Sequence, residues 1–115
     1  MIALIWEFDV APGKSEEFER FYGADGEWTK LSRRSRSFLG SSFLRDIAVE
    51  SRYVLVEYWA EMVVYERHQT NFDAPLKVLE RQRDRFIKQL HPLGVFSALD
   101  VPNRAGPTWS RRSGV

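Results

Sequence analysis

Apolar residues recur at every second position from Ile2 to Val10, so that Ile2, Leu4, Trp6, Phe8 and Val10 share one face and predict a first strand. Ala11-Pro12-Gly13 breaks the pattern. Ser15 then stands as a helix N-cap, with Glu16 and Glu17 in the first turn beside the positive end of the helix dipole. Phe18, Phe21 and Tyr22 form that helix's apolar stripe, and Gly23 and Gly26 interrupt it. Trp28 and Leu31, three apart, predict one or two further helical turns before the basic run Arg33-Arg34-Ser35-Arg36. A second strand is expected over Phe38 to Asp46, with Gly40 as a bulge, and a loop over Ile47 to Arg52. Tyr53 to Trp59 reads as the third strand. From Glu61 a helical pattern pauses near Asn71 to Pro75 and resumes through Leu90, where His91-Pro92 ends it, leaving Leu93 to Leu99 as the fourth strand.

Strand, helix, strand, strand, helix, strand is the split βαβ order of an α+β, ferredoxin-like fold, a four-stranded antiparallel sheet with its helices on one face. The third strand is apolar on both sides. Tyr53, Leu55 and Trp59 occupy one face while Val54, Val56 and Tyr58 occupy the other. Helices sufficient for one face leave the second to another partner, and pairing of two copies through the open face predicts a homodimer. The domain is expected over residues 1–99, with a tail over residues 100–115 that lacks periodicity and carries one isolated aromatic, Trp109.

A chain of 115 residues is of ordinary size for one domain, and 43% hydrophobic with 29% charged residues is a globular balance. There is no apolar run of about eighteen residues to cross a membrane. The N-terminus lacks a basic leader and reaches Glu7 early, so the expected location is the cytoplasm. Seventeen basic against sixteen acidic side chains give +1, which does not point to a nucleic-acid or membrane partner. No cysteine is present, excluding disulfides, thiolate metal sites and thiol nucleophiles, and the two histidines have no metal-ligand spacing. Sixteen aromatic residues, eight Phe, four Tyr and four Trp, are the compositional signal for a pocket that holds a flat organic molecule.

Candidate chemistry centres on Glu57-Tyr58-Trp59, followed nine residues later by His68. Glu57 and Trp59 share a strand face, and a helix packed on that face brings Tyr65, His68 and Phe72 along one stripe. An imidazole in such an aromatic box serves as a general base, orients a phenolate or ligates a metal or haem; equally, it is a hydrogen-bonded core residue. Arg83 falls on the stripe of Leu76, Leu79, Phe86 and Leu90, either reaching a pocket to pair with an anion or extending to the helix end. Trp59, His68 and Arg83 are expected to border one cavity, closed by Phe72 and by Trp6 or Phe8.

An ordered set of residues resembles the antibiotic biosynthesis monooxygenase superfamily of dimeric α+β barrel proteins, in its uncharacterised branch with a glycine-tryptophan insert. Phe8, Pro12-Gly13-Lys14, Glu17-Phe18 and Tyr22-Gly23 lead into the insert Gly26-Glu27-Trp28. Leu39-Gly40, Leu44-Arg45-Asp46, Tyr53, Trp59, Tyr65, Leu79-Glu80, Gly94 and Phe96 follow. The resemblance implies a barrel-forming dimer with a pocket in each subunit and a cofactor-independent monooxygenation of a small, electron-rich aromatic or quinol-like compound. His68 is then the base, with Trp59 beside it as a catalytic residue. Trp6, Phe8, Trp28, Glu57, Tyr65, Phe72 and Arg83 contact the substrate, and no metal or other cofactor takes part. A non-catalytic dimer that binds a small hydrophobic ligand is the alternative. Haem degradation, the third reading, lacks the asparagine that haem-degrading relatives carry on the first strand.

Overall fold

The computed structural model describes residues 1–99; the expected tail and Trp109 lie outside the described residues. The elements run β1 (Ile2–Val10), α1 (Ser15–Tyr22), α2 (Glu27–Ser32), β2 (Phe38–Arg45), β3 (Arg52–Trp59), α3 (Met62–Asn71), α4 (Asp73–Asp84) and β4 (Ile87–Ser97). The strands form one antiparallel sheet in the order β2-β3-β1-β4. This is the α+β, ferredoxin-like architecture.

Several boundaries differ from the sequence expectation, most by one or two residues. Ser15 is the first helical residue of α1, while Lys14 holds the cap position without a side-chain cap hydrogen bond. More consequentially, the second helical region stops at Asp84 instead of continuing to Leu90. The amides of Arg85 and Phe86 close the last turn on the carbonyls of Gln82 and Arg83 at 3.2 and 2.8 Å. The chain then enters β4, where Ile87 pairs with Val10 and Leu90 with Phe8. Strand four therefore starts at Ile87 rather than Leu93. The i, i+3, i+4 spacing of Phe86 and Leu90 fits a helix, but pairing along β1 satisfies the same apolar side chains and a full ladder of backbone groups. Pro92, expected to end a helix, lies within this edge strand beside a register shift, where a missing N–H is tolerated.

Register places the two faces of the sheet. Tyr53, Leu55, Glu57 and Trp59 are buried under the helices, whereas Val54, Val56 and Tyr58 point to the opposite, open side. At one end of the sheet Arg52 locks this register. Its Nε donates to Glu7 Oε1 at 2.8 Å and its Nη1 to Asp46 Oδ2 at 3.1 Å, while Asp46 Oδ1 accepts the amides of Ala48 and Val49 in the β2–β3 turn. A slip of one residue would exchange the faces and break these bonds. Beneath the helices, Phe8, Phe18, Tyr22 and Tyr53 form a continuous aromatic core, with Phe8–Phe18 and Phe18–Tyr53 centroids 5.1 and 5.0 Å apart. The Tyr53 hydroxyl, at the edge of this core, donates to Glu19 on α1.

Candidate functional site

Between sheet and helices lies a cavity of about 250 Å³. Trp6, Phe8 and Leu55 form its floor from β1 and β3, and Leu90 and Pro92 close it from β4. Tyr22 and Trp28 from α1 and α2, Tyr65 and Gln69 from α3, and Glu80 and Arg83 from α4 complete the lining. Most of the lining residues are aromatic or aliphatic, with phenol, amide, carboxylate and guanidinium groups on the helical side, the composition of a small-molecule pocket. Burial works against the Arg83 charge, but the neighbouring Tyr22 hydroxyl and Asp84 more than offset it and hold the guanidinium ionised. Its Nε and Nη2 donate to Asp84 Oδ1 at 3.2 and 3.0 Å. Burial pushes the hydroxyls of Tyr22 and Tyr65 well above the ordinary phenol value, so both stay protonated.

A second aromatic cluster adjoins this cavity without opening into it. Trp59 at the end of β3 contacts Phe38, Tyr65 and His68 at centroid distances of 5.3, 5.2 and 5.1 Å. His68 contacts Phe72 at 4.8 Å, and the Arg34 guanidinium lies over the far ring at 4.9 Å. The imidazole is 4% exposed, and among the described residues neither ring nitrogen has a hydrogen-bond partner. Burial, and then the Arg34 charge, lower its pKa below the usual value, favouring neutral imidazole.

Glu57 joins the two clusters. Only 2% exposed, it accepts the Trp28 indole N–H on Oε2 at 2.7 Å and the Trp59 indole N–H on Oε1 at 3.1 Å. Burial raises its pKa above the usual carboxylate value, and the two indole donors act in the opposite sense.

Of the residues expected at the site, Trp6, Phe8, Trp28, Tyr65 and Arg83 border one cavity, whereas Trp59, His68, Glu57 and Phe72 do not line it. The expected meeting of Trp59, His68 and Arg83 fails because α3 presents two adjacent stripes. Tyr65 and Gln69, four apart, face the cavity, while His68 and Phe72, also four apart, turn toward Trp59 and Arg34. Gln69, Glu80 and Tyr22 were not singled out from sequence. Gln69 lies one turn after Tyr65 and Glu80 one turn before Arg83, a spacing that could have flagged both; Tyr22 reads only as core until Arg83 is placed beside it.

The model of the family described as antibiotic biosynthesis monooxygenase matches residues 1–72, from β1 through α3. No curated protein matches the chain. Among solved structures, an asparagine-to-alanine variant of SnoaB, a cofactor-independent oxygenase from Streptomyces nogalater, superposes with a TM-score of 0.73 at 16% identity, covering 87% of this chain and 94% of that one. PA3566 from Pseudomonas aeruginosa gives 0.63 at 22% identity, covering 86% and 94%. Rv0793 from Mycobacterium tuberculosis gives 0.68 at 14% identity, covering 89% and 98%. At these identities the structures speak to the fold, and the match to more than half of the chain speaks to the family. The chain belongs to the antibiotic biosynthesis monooxygenase family.

Proposed function

We propose that the protein is a cofactor-independent monooxygenase that oxidises a small, electron-rich aromatic or quinol-like compound in the cavity between sheet and helices. The observation that carries this reading is the cavity itself: aromatic walls from Trp6, Phe8, Trp28 and Tyr65 with the Arg83 guanidinium at its polar side. Similarity to the cofactor-independent oxygenase SnoaB supports it. Such a reaction asks little of the protein. The substrate must lose a proton, for which the Glu80 carboxylate on the cavity wall is the acceptor, its anion must be stabilised, and bulk water must be kept away while the anion reduces dioxygen, one oxygen atom entering the product and the other leaving as water. Arg83 favours the anion, the neutral Tyr22 and Tyr65 hydroxyls offer hydrogen bonds, and the rings hold the substrate plane. His68, expected from sequence as the base, does not line the cavity, and its proposed contribution is to buttress Trp59 and thereby Tyr65.

The working form is proposed to be a homodimer. The open face of the sheet carries Ile5, Val54, Val56 and Tyr58, with Leu44 and Phe96 about half exposed at its margins, opposite the face that forms the cavity. An oxygen electrode tests the activity directly. Purified, metal-chelated and flavin-free protein is expected to consume oxygen with 1,4-dihydroxynaphthalene, and Arg83→Met to lower turnover at least about tenfold. Tight binding of this compound without oxygen uptake would instead establish the ligand-binding alternative.

A further inference from the structure

A buried carboxylate in the middle of a strand costs more than an aliphatic residue of similar size unless its oxygens are well used. Both oxygens of Glu57 are used by indoles, and among the described residues no cation pairs with it. One indole belongs to Trp28, a wall of the cavity; the other belongs to Trp59, which contacts Tyr65, a second wall. Trp28 sits on α2, a helix of six residues without a side-chain cap. Its ring otherwise meets Phe21 and Tyr22 in tilted contacts at 6.3 and 5.7 Å, which do not fix its direction. The 2.7 Å bond to Glu57 is the directional restraint on that wall.

We propose that Glu57 is a positioning residue whose carboxylate fixes the Trp28 indole, and through Trp59 steadies Tyr65, thereby setting the width of the slot and selecting flat ligands of one or two fused rings. This inference rests on the cavity being the ligand site but not on any particular reaction there. A cavity of about 250 Å³ is below the range usual for drug-sized ligands, in keeping with a ligand of that size. Glutamine at this position presents one oxygen to two donors and turns an NH₂ group against an indole N–H, so Glu57→Gln releases at least one ring while nearly preserving volume.

The test uses indole N–H resonances of the full chain, assigned by single Trp→Phe replacements, together with calorimetric binding of 1-naphthol. In Glu57→Gln the Trp28 and Trp59 signals are expected to move while Trp6 stays in place, and 1-naphthol affinity to fall about tenfold. Trp28→Phe, which keeps a ring but cannot donate, is expected to lose as much, and the double variant no more than either single one. A Trp28 signal unmoved by Glu57→Gln, or additive losses, overturns the positioning role. Should Glu57→Gln fail to fold, unaltered 1-naphthol affinity in Trp28→Phe overturns it as well. Wild-type protein that does not bind 1-naphthol removes the ligand site and this inference together. Binding without oxygen uptake removes only the proposed reaction.

Discussion

His68 and Glu57 bury opposite ionisations within one aromatic cluster, and their effects on stability have opposite slopes with pH. The groups facing His68 are Trp59 from β3, Phe72 from the α3–α4 junction and the Arg34 charge that follows α2, and among the described residues no carboxylate shifts its ionisation. Its folded pKa lies below the usual 6.5, so the unfolded chain binds the extra proton first. That contribution to stability is full above pH 6.5 and is lost as pH falls toward the lowered value. Glu57 is raised above the usual 4.5, so the folded protein holds its proton longer, and stability declines as pH rises from 4.5 through the raised value. Urea midpoints measured from roughly pH 4 to 8 are therefore expected to lose their acid-side fall in His68→Phe and their opposing trend in Glu57→Gln. A His68→Phe profile parallel to wild type would show that the imidazole does not titrate in this cage. The same burial bears on haem: because both nitrogens are closed off, haemin titration is expected to give no Soret shift that depends on His68. A shift abolished by His68→Ala would restore the haem reading.

The short helix α2 depends on a close approach that only glycine permits. A Cβ on Gly26 would sit on the backbone carbonyl oxygens of Arg20 and Phe21, whereas one on Gly13 would meet nothing within 4 Å but would have to adopt a φ of +77°. Gly26→Ala should therefore cost about 3 kcal/mol or more and displace Trp28. Gly13→Ala should cost only about 1–2 kcal/mol and leave the cavity unchanged. Thermal melts and the Trp28 indole resonance check both, and equal destabilisation by the two would contradict the steric reading. At this scale the chain was unevenly legible. The β-branched and aromatic runs Ile2 to Val10 and Tyr53 to Trp59 specified both strands, but the third is apolar on both sides, so the face that carries Trp59 is decided only by its burial under the helices. The stretch from Arg83 to Leu90 was misread because its apolar spacing suits a helix; only the pairing of Ile87 and Leu90 with β1, a contact distant in sequence, decides for a strand. The site was half legible for a related reason. A stripe of Tyr65, His68 and Phe72 is visible at i, i+3 and i+7, but which part of it faces the cavity depends on how α3 is rotated over the sheet, and that is set by packing against Trp59.

Across the whole molecule, the sheet presents two different faces, one that floors the cavity and one that no helix among the described residues covers. Residues of β3 alternate between them, Leu55 reaching the cavity and Val56 the open side, so the cavity and the proposed dimer interface are built from neighbouring residues without sharing side chains. Val56 is central on the open face, paired across with Ile5 on β1 and Ser42 on β2. A carboxylate placed there would be buried without a partner if two such faces meet, so Val56→Asp should raise the dimer dissociation constant on the order of a hundredfold or more. Light scattering at micromolar concentration is expected to give twice the chain mass for the wild type and a lower value for the variant. Because the cavity belongs to a single subunit and lies on the other side of the sheet, the variant should bind 1-naphthol within about threefold of wild type. Loss of binding in step with loss of the dimer would mean that the second copy completes or braces the pocket. A wild-type chain that scatters as a monomer would leave the half-exposed Leu44 and Phe96 without the partner proposed for them.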